Sequence, residues 1–284
     1  LAAAHAMEQA AGLRPDAAMR RARTLLLELE RLYNHLNDIG QVCAGVGLAP
    51  GAMEFAALKE RAHRVNHALV GHRFLFGAVA LARSELVVNG EGAADARRLL
   101  AELAVDARAA WRDLAADPSL RDRTRDTGVL TPAAAARLGV RGPAARASGL
   151  AVDARTRDTR PGDQGFRPAA GSGEGDVAAR LEMRAIELED VFARVDGLLD
   201  GPLATGRAEV AGEGGPHGTG RVEGPRGESL CAVELRDGTV RRVHLRTASY
   251  ANWPAVAHAA TGAILPDFLL VNKSFELCYA CVDR

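Results

Sequence analysis

Residues Leu25-Leu26-Leu27-Glu28-Leu29-Glu30-Arg31-Leu32-Tyr33-Asn34-His35-Leu36-Asn37-Asp38-Ile39 carry the pattern that decides the fold. Leu25, Leu29, Leu32, Leu36 and Ile39 recur at steps of four, three, four and three, which aligns them on one face of an α-helix. Upstream, Arg14-Pro15-Asp16 is a helix-start signal; downstream, the Gly-rich stretch Gly45 to Gly51, with Pro50, breaks the helix. A second helical pattern runs from about Met53 to Val88, with Gly71 and Gly77 as points of bending or division. Asn89-Gly90-Glu91-Gly92 is a turn, and Ala93 to Ala116 is a third helix, ended by Asp117-Pro118. Glu174 to Leu199 returns to helix, expected as a core helix with a solvated face.

Composition agrees with a helical chain. Aromatic residues are only 4%, so Ala, Leu and Val must fill the core, and Ala is the strongest helix former. Apolar residues at 48% exclude a disordered chain, and 36 Lys plus Arg against 36 Asp plus Glu argue against a nucleic-acid partner. With 284 residues the chain can bury a substantial core. No stretch approaches the roughly 18–20 uninterrupted apolar residues of a membrane span, so a soluble or peripherally bound protein is expected. The chain opens at Leu1 within an already helical pattern, from which a natural N-terminus further upstream is expected.

From Asp126 to Glu174 the texture is irregular, rich in Gly, Pro, Arg, Asp and Thr, as in loops kept for function. Cys231 to Leu235 and Val240 to Leu245 predict two strands joined at Asp237-Gly238. Ala255 to Thr261 predicts a short helix, and Ile264 to Val271 an apolar segment leading to Cys278-Tyr279-Ala280-Cys281. The expected organisation is one domain over 1–284, with 126–174 as an irregular loop on the active-site side and 205–247 as a small β insertion.

Two intervening residues let the Cys278 and Cys281 thiolates point to one side of a turn and share a soft metal. A redox-inert buried pair and a redox motif are the alternatives at this level. Cys43 and Cys231 have no second Cys nearby and predict small core residues. Glu223-Gly224-Pro225-Arg226-Gly227-Glu228 sets a guanidinium on a Pro- and Gly-shaped turn, suited to stabilising an anionic ligand without entering proton traffic; a solvated Arg is the alternative at this level. Asp153, Asp158, Glu174 and Asp176 are expected in ion pairs or caps, and His63 and His67 in packing or at the surface.

Several segments together resemble the large subunit of energy-converting, formate hydrogenlyase-type nickel-iron hydrogenases. They are Glu30 to Leu36, Arg123-Thr124 to Gly128, Gly142-Pro143 through Arg146 to Gly149, Asp153-Ala154-Arg155, Gly175-Asp176 and Arg180, Glu223 to Glu228, Arg246 to Pro254, Asp267, and Cys278 to Arg284. The related quinone-site D subunit of complex I shares the scaffold and the Val282-Asp283-Arg284 ending but normally lacks the Cys pair. The resemblance implies a mainly α fold, a nickel-iron hydrogenase large-subunit-like or complex I D-subunit-like helical bundle with a small β-sheet insertion.

It further implies that Cys278 is a terminal nickel ligand and that Cys281 bridges nickel to an iron carrying cyanide and carbon monoxide. Arg226 would lie over the open metal position on a turn held by Pro225, while His35 and Arg146 match recurrent positions without an assigned role. The family's N-terminal CxxC is absent; Glu8-Gln9-Ala10-Ala11-Gly12 resembles a segment just after it, so a partial sequence is expected, and the chain alone would be inactive. The implied partners are an iron-sulfur small subunit that receives electrons, membrane subunits of a hydrogenase or complex I-like assembly, and dihydrogen and protons, at the cytoplasmic face of the membrane. The rival expectation is a metal-free quinone-site subunit of a complex I-like NADH-quinone oxidoreductase, and a third is a degenerate structural subunit.

Overall fold

The computed structural model describes residues 1–84, 86–157, 166–169 and 171–282. Asp158, Asp283 and Arg284, each named above, lie outside the described residues. The expected long helix is α2 (Ala17–Gly45), capped where Asp16 accepts the Met19 N–H at 2.7 Å. Its apolar face is fully sequestered: Leu25, Leu32, Leu36 and Ile39 are at 0% exposure. Around it pack α3 (Ala49–Val70), α8 (Val177–Leu198) and α10 (Leu265–Phe275), with α4 (Gly90–Ala116) against α3 and α8. Short helices α5 (Pro118–Thr124), α6 (Pro132–Leu138) and α7 (Pro143–Ala147) and a 3-10 turn (Ala154–Arg157) follow α4. The expected mainly helical fold with a small sheet is therefore what forms. Among the described residues no helix is long and apolar enough to cross a membrane.

Five expectations are corrected. The second helix stops at Val70 instead of reaching Val88: Gly71 adopts φ +74°, and its N–H closes the helix on the His67 carbonyl at 2.8 Å. The following segment carries the two-residue strand β2 (Arg83–Ser84), which pairs with β3 (Gly206–Val210), and Val88, which bridges to Leu203; β3 also pairs with β1 (Leu13–Pro15). The irregular loop holds α6, α7 and the 3-10 turn, whose short Ala- and Pro-rich runs are too brief to show periodicity.

Residues 205–247 hold four strands, not two: β3, which joins β1 and β2, and β4 (His217–Gly224), β5 (Gly227–Arg236) and β6 (Thr239–Arg246), which form a separate antiparallel sheet. The sequence hides β4 because it carries Gly218 and Gly220, where α1 (Ala2–Ala10) lies directly on the strand. A Cβ at either glycine would come within 2.0 Å of a carbonyl oxygen of α1. The turn between β5 and β6 forms as expected, with Asp237 at φ +52° and Gly238 at φ +74°, both left-handed as a tight hairpin requires. Helix α9 (Ala248–Ala259) begins seven residues before the expected Ala255, because Thr247 caps it and Pro254 is tolerated inside it. The apolar segment before the Cys pair is the helix α10.

Helix α8 supplies the fifth correction. It is a core helix, but Arg180, Arg184 and Glu187 are buried at 0–3% exposure on the face expected in solvent. Burial of such groups requires internal partners, and those partners build the site.

Candidate functional site around Arg226 and the Cys278–Cys281 pair

Pro225 and Arg226 form the two-residue turn between β4 and β5, with Gly224 opposite Gly227. The turn lies flush on the backbone at Gly142: at φ +71°, a Cβ there would be 2.4 Å from the Arg226 carbonyl oxygen. From below, Arg31 of α2 donates to the Glu223 carbonyl at 2.6 Å and the Gly224 carbonyl at 3.1 Å. The hairpin end is thus held from both sides.

The Arg226 side chain returns to α2. Its Nη1 donates to Asn34 Oδ1 and its Nη2 to Asp38 Oδ1, both at 2.8 Å. Asn34 and Asp38 are one helical turn apart and so face the guanidinium together. Asp38, at 0% exposure, also accepts from Arg184 Nε at 3.3 Å. The Nε of Arg226 is buried without a partner, while the side chain as a whole keeps 25% exposure.

Cys278 and Cys281 follow α10 after Glu276, a left-handed cap residue at φ +51°. Cys278 is exposed and Cys281 half-buried. A hydrogen bond with the Cys281 thiol, chief among several causes, lowers the Cys278 pKa, and the Arg226 charge adds to this. Cys278 and Cys281 lie together, and helix α9 contacts both Cys278, whose N–H donates to Ser249, and the Pro225-Arg226 turn, whose Arg226 carbonyl accepts from Asn252. The half-buried Glu276 carboxyl belongs to the same surroundings: burial raises its pKa, the Asp38 charge adds to the rise, and Arg226 opposes it. Cys43 and Cys231 are elsewhere, at 0% exposure, as core residues. Burial pushes the Cys43 thiol up to about 11 and raises Cys231 as well.

Beneath the site is a buried charge network that the sequence does not reveal. Arg146 Nε donates to Glu187 Oε1 at 2.7 Å, and its Nη1 reaches Glu223 and Asp153 at 3.0 Å. Burial opposes the charge on Arg146, but Glu187, Glu223 and Asp153 together hold its pKa above the usual range. Burial likewise opposes the charge on Glu187, and Arg146 and His35 overcome it, so that carboxylate titrates well below its usual range. His35 bonds Glu187 Oε2 through Nε2 at 2.8 Å. Burial lowers the His35 pKa, against the Glu187 hydrogen bond that raises it, and the ring's Nδ1 is buried without a hydrogen-bond partner.

Asp153 pairs with Arg155 at 2.8 Å, and Asp176 caps α8 through the Ala179 N–H at 2.7 Å, both as expected. Glu174 supplies no cap; that role falls to Asp176 alone. Among the described residues the acceptors of Arg180 are neutral: Ser274 Oγ at 2.8 Å and the carbonyls of Gly175 and Gly128 at 2.7 and 3.0 Å. Burial brings its pKa down to about 9, with Arg184 adding to the effect. His63 packs between Tyr33 and Phe74, with ring centroids 4.6 and 4.7 Å away.

A protein-family model described as "Respiratory-chain NADH dehydrogenase, 49 Kd subunit" matches residues 46–201 and 208–284, most of the chain. The chain belongs to that family. Within the 49 Kd subunit family, formate hydrogenlyase subunit 5 of Escherichia coli is 30% identical over 98% of this chain and 50% of its own length. Hydrogenase-4 component G of the same organism is 29% identical over 99% of this chain and 48% of its own length. The chain thus spans about half the length of these relatives. An NADH-quinone oxidoreductase subunit of Salinispora tropica is 30% identical over 92% of this chain and 70% of its own length. Among solved structures, a chain from the membrane-bound sulfane sulfur reductase, an archaeal respiratory membrane complex, superimposes with a TM-score of 0.86. That chain is 24% identical, the match covers 99% of this one and 79% of that one, and it carries the same fold.

Two soft sulfurs fit half of a four-thiolate nickel-iron centre. Among the described residues no group of three or more His, Cys, Asp or Glu side chains could hold a metal ion. The two thiols of Cys278 and Cys281 supply at most two of the ligands such a centre needs.

Proposed function

We propose that this chain is part of the catalytic large subunit of a membrane-associated nickel-iron hydrogenase that evolves or oxidises dihydrogen. One observation carries the reading: helix α9 binds both Cys278 of the thiol pair and the turn of Arg226, whose fork is fixed by Asn34 and Asp38. The E. coli relatives named as formate hydrogenlyase and hydrogenase-4 subunits support the same reading.

Cys278 and Cys281 would hold the metals, which when bound supply the soft Lewis-acid centre for dihydrogen chemistry. The remaining roles belong to the chain itself. Arg226 would present a planar donor fork that stabilises negative charge at the sulfurs. Asn34 and Asp38 keep its fork from swinging into solvent, and Pro225 limits the backbone of the turn. The exposed Cys278 sulfur is the atom in this chain where a proton would be held and released.

Electrons would pass to iron-sulfur clusters in a small partner subunit, beside membrane subunits and at the cytoplasmic face of the membrane. Nickel and iron analysis of the intact complex, together with hydrogen-dependent dye reduction, tests this. Metal-free complex that still turns over its electron acceptor would overturn it. The family description and the Salinispora relative favour a second reading, a quinone-site subunit of a complex I-like assembly. Competition by quinone analogues without any hydrogen activity would select it.

A further inference from the structure

Helix α9 touches both halves of the site. The Cys278 N–H donates to Ser249 Oγ at 3.1 Å, and the Trp253 indole N–H donates to the Cys278 carbonyl at 3.3 Å. One helical turn of α9 therefore grips the Cys278 peptide at both its donor and its acceptor. The Trp253 ring also lies 4.8 Å from the ring of Tyr279, inside the Cys-Tyr-Ala-Cys turn.

Between these two grips sits Asn252, 1% exposed, which points at the other half of the site. Its Nδ2 donates to the Arg226 carbonyl at 3.3 Å and the Arg141 carbonyl at 3.0 Å. Its Oδ1 accepts the Arg141 N–H at 2.9 Å. The Arg226 turn is thereby tied to the same three-residue face of α9 that holds Cys278. Ser249, Asn252 and Trp253 are spaced i, i+3 and i+4, so they share one side of a rigid helix.

We propose that Ser249, Asn252 and Trp253 are positioning residues that fix the Cys278 sulfur relative to the Arg226 guanidinium. This rests on taking Cys278, Cys281 and Arg226 as one site. The alternative is that Asn252 merely satisfies buried backbone groups, as Asn66 does when it donates to the Arg73 carbonyl at 3.1 Å.

Charge-selective alkylation of the reduced, metal-free protein separates the two. Iodoacetate is an anion and iodoacetamide is neutral, so their rate ratio at Cys278, read by peptide mass analysis, reports the field of Arg226 there. The fraction of thiolate cancels in the ratio. A cation held several ångströms from the sulfur favours the anionic reagent by about threefold, so Arg226→Gln is expected to lower the ratio by that factor.

Asn252→Ala and Ser249→Ala are expected to lower it toward the Arg226→Gln value. Asn66→Ala, the matched loss of a buried amide elsewhere, is expected to keep the wild-type ratio. Should Asn252→Ala fail to fold by circular dichroism, Ser249→Ala carries the test. A wild-type ratio in the α9 variants, or equal acceleration of both reagents, overturns the positioning role. If Arg226→Gln itself leaves the ratio unchanged, the grouping of Arg226 with the Cys pair falls instead.

Discussion

Replacing Arg146 with Met removes the cation at the centre of the buried network while keeping its volume. Glu187, Glu223 and Asp153 would then be left at 1–5% exposure without their shared partner. Deleting one member of a buried ion pair costs about 3–5 kcal/mol, because the residual charge stays desolvated. At pH 7 the urea midpoint of Arg146→Met is expected to fall by that equivalent.

The pH dependence gives a sharper test. In the wild type Glu187 titrates below its unfolded value, so its contribution is complete above the unfolded pKa and is lost as pH falls through the folded one. In the variant the same carboxylates are buried without Arg146, their folded pKa values rise, and lowering the pH relieves them. The stability gap between the two proteins should therefore narrow by about 1 kcal/mol or more between pH 7 and pH 5. Paired urea titrations at both pH values measure it. A gap below about 1 kcal/mol at pH 7, or one that widens on acidification, would refute the account of Arg146 as the network's compensating charge.

Other expectations follow from the same contacts. Gly142→Ala drives a methyl into the Arg226 carbonyl at a left-handed backbone position and should cost on the order of 3 kcal/mol in thermal or urea melts. Gly139→Ala, also left-handed at φ +65° but with nothing within 4 Å, should cost only about 1 kcal/mol. Arg226→Lys exchanges a two-point fork for a point charge and should lower hydrogen turnover in the intact complex roughly 100-fold with nickel content unchanged; loss of nickel instead would mean Arg226 is structural. Cys278→Ser or Cys281→Ser should abolish nickel incorporation. Cys43→Ala and Cys231→Ala should leave the metal in place at a stability cost of about 1–2 kcal/mol.

The parts of this molecule that were legible in the sequence are those written in local spacing. The apolar steps from Leu25 to Ile39 specify α2, Asp237-Gly238 specifies its hairpin, and two residues between Cys278 and Cys281 specify a thiol pair. The parts that were not legible depend on long-range compensation. Arg180, Arg184 and Glu187 look like a solvated face of α8 because each is charged, and only their distant partners make burial affordable. Asn34, some 190 residues from Arg226 in sequence, carries no local sign that it receives a guanidinium. Strand β4 was hidden for a different reason: its glycines record the closeness of α1 rather than any strand preference.

Asn34 and Asp38 occupy consecutive turns of a single helix, and this makes Arg226 sensitive to the rotation of α2 about its own axis. Advancing that helix by one residue turns it through about 100° and withdraws both acceptors from the guanidinium in the same motion. A twist too small to disturb the apolar seam would already shift the Arg226 fork, so the angular setting of one buried rod governs where that charge sits.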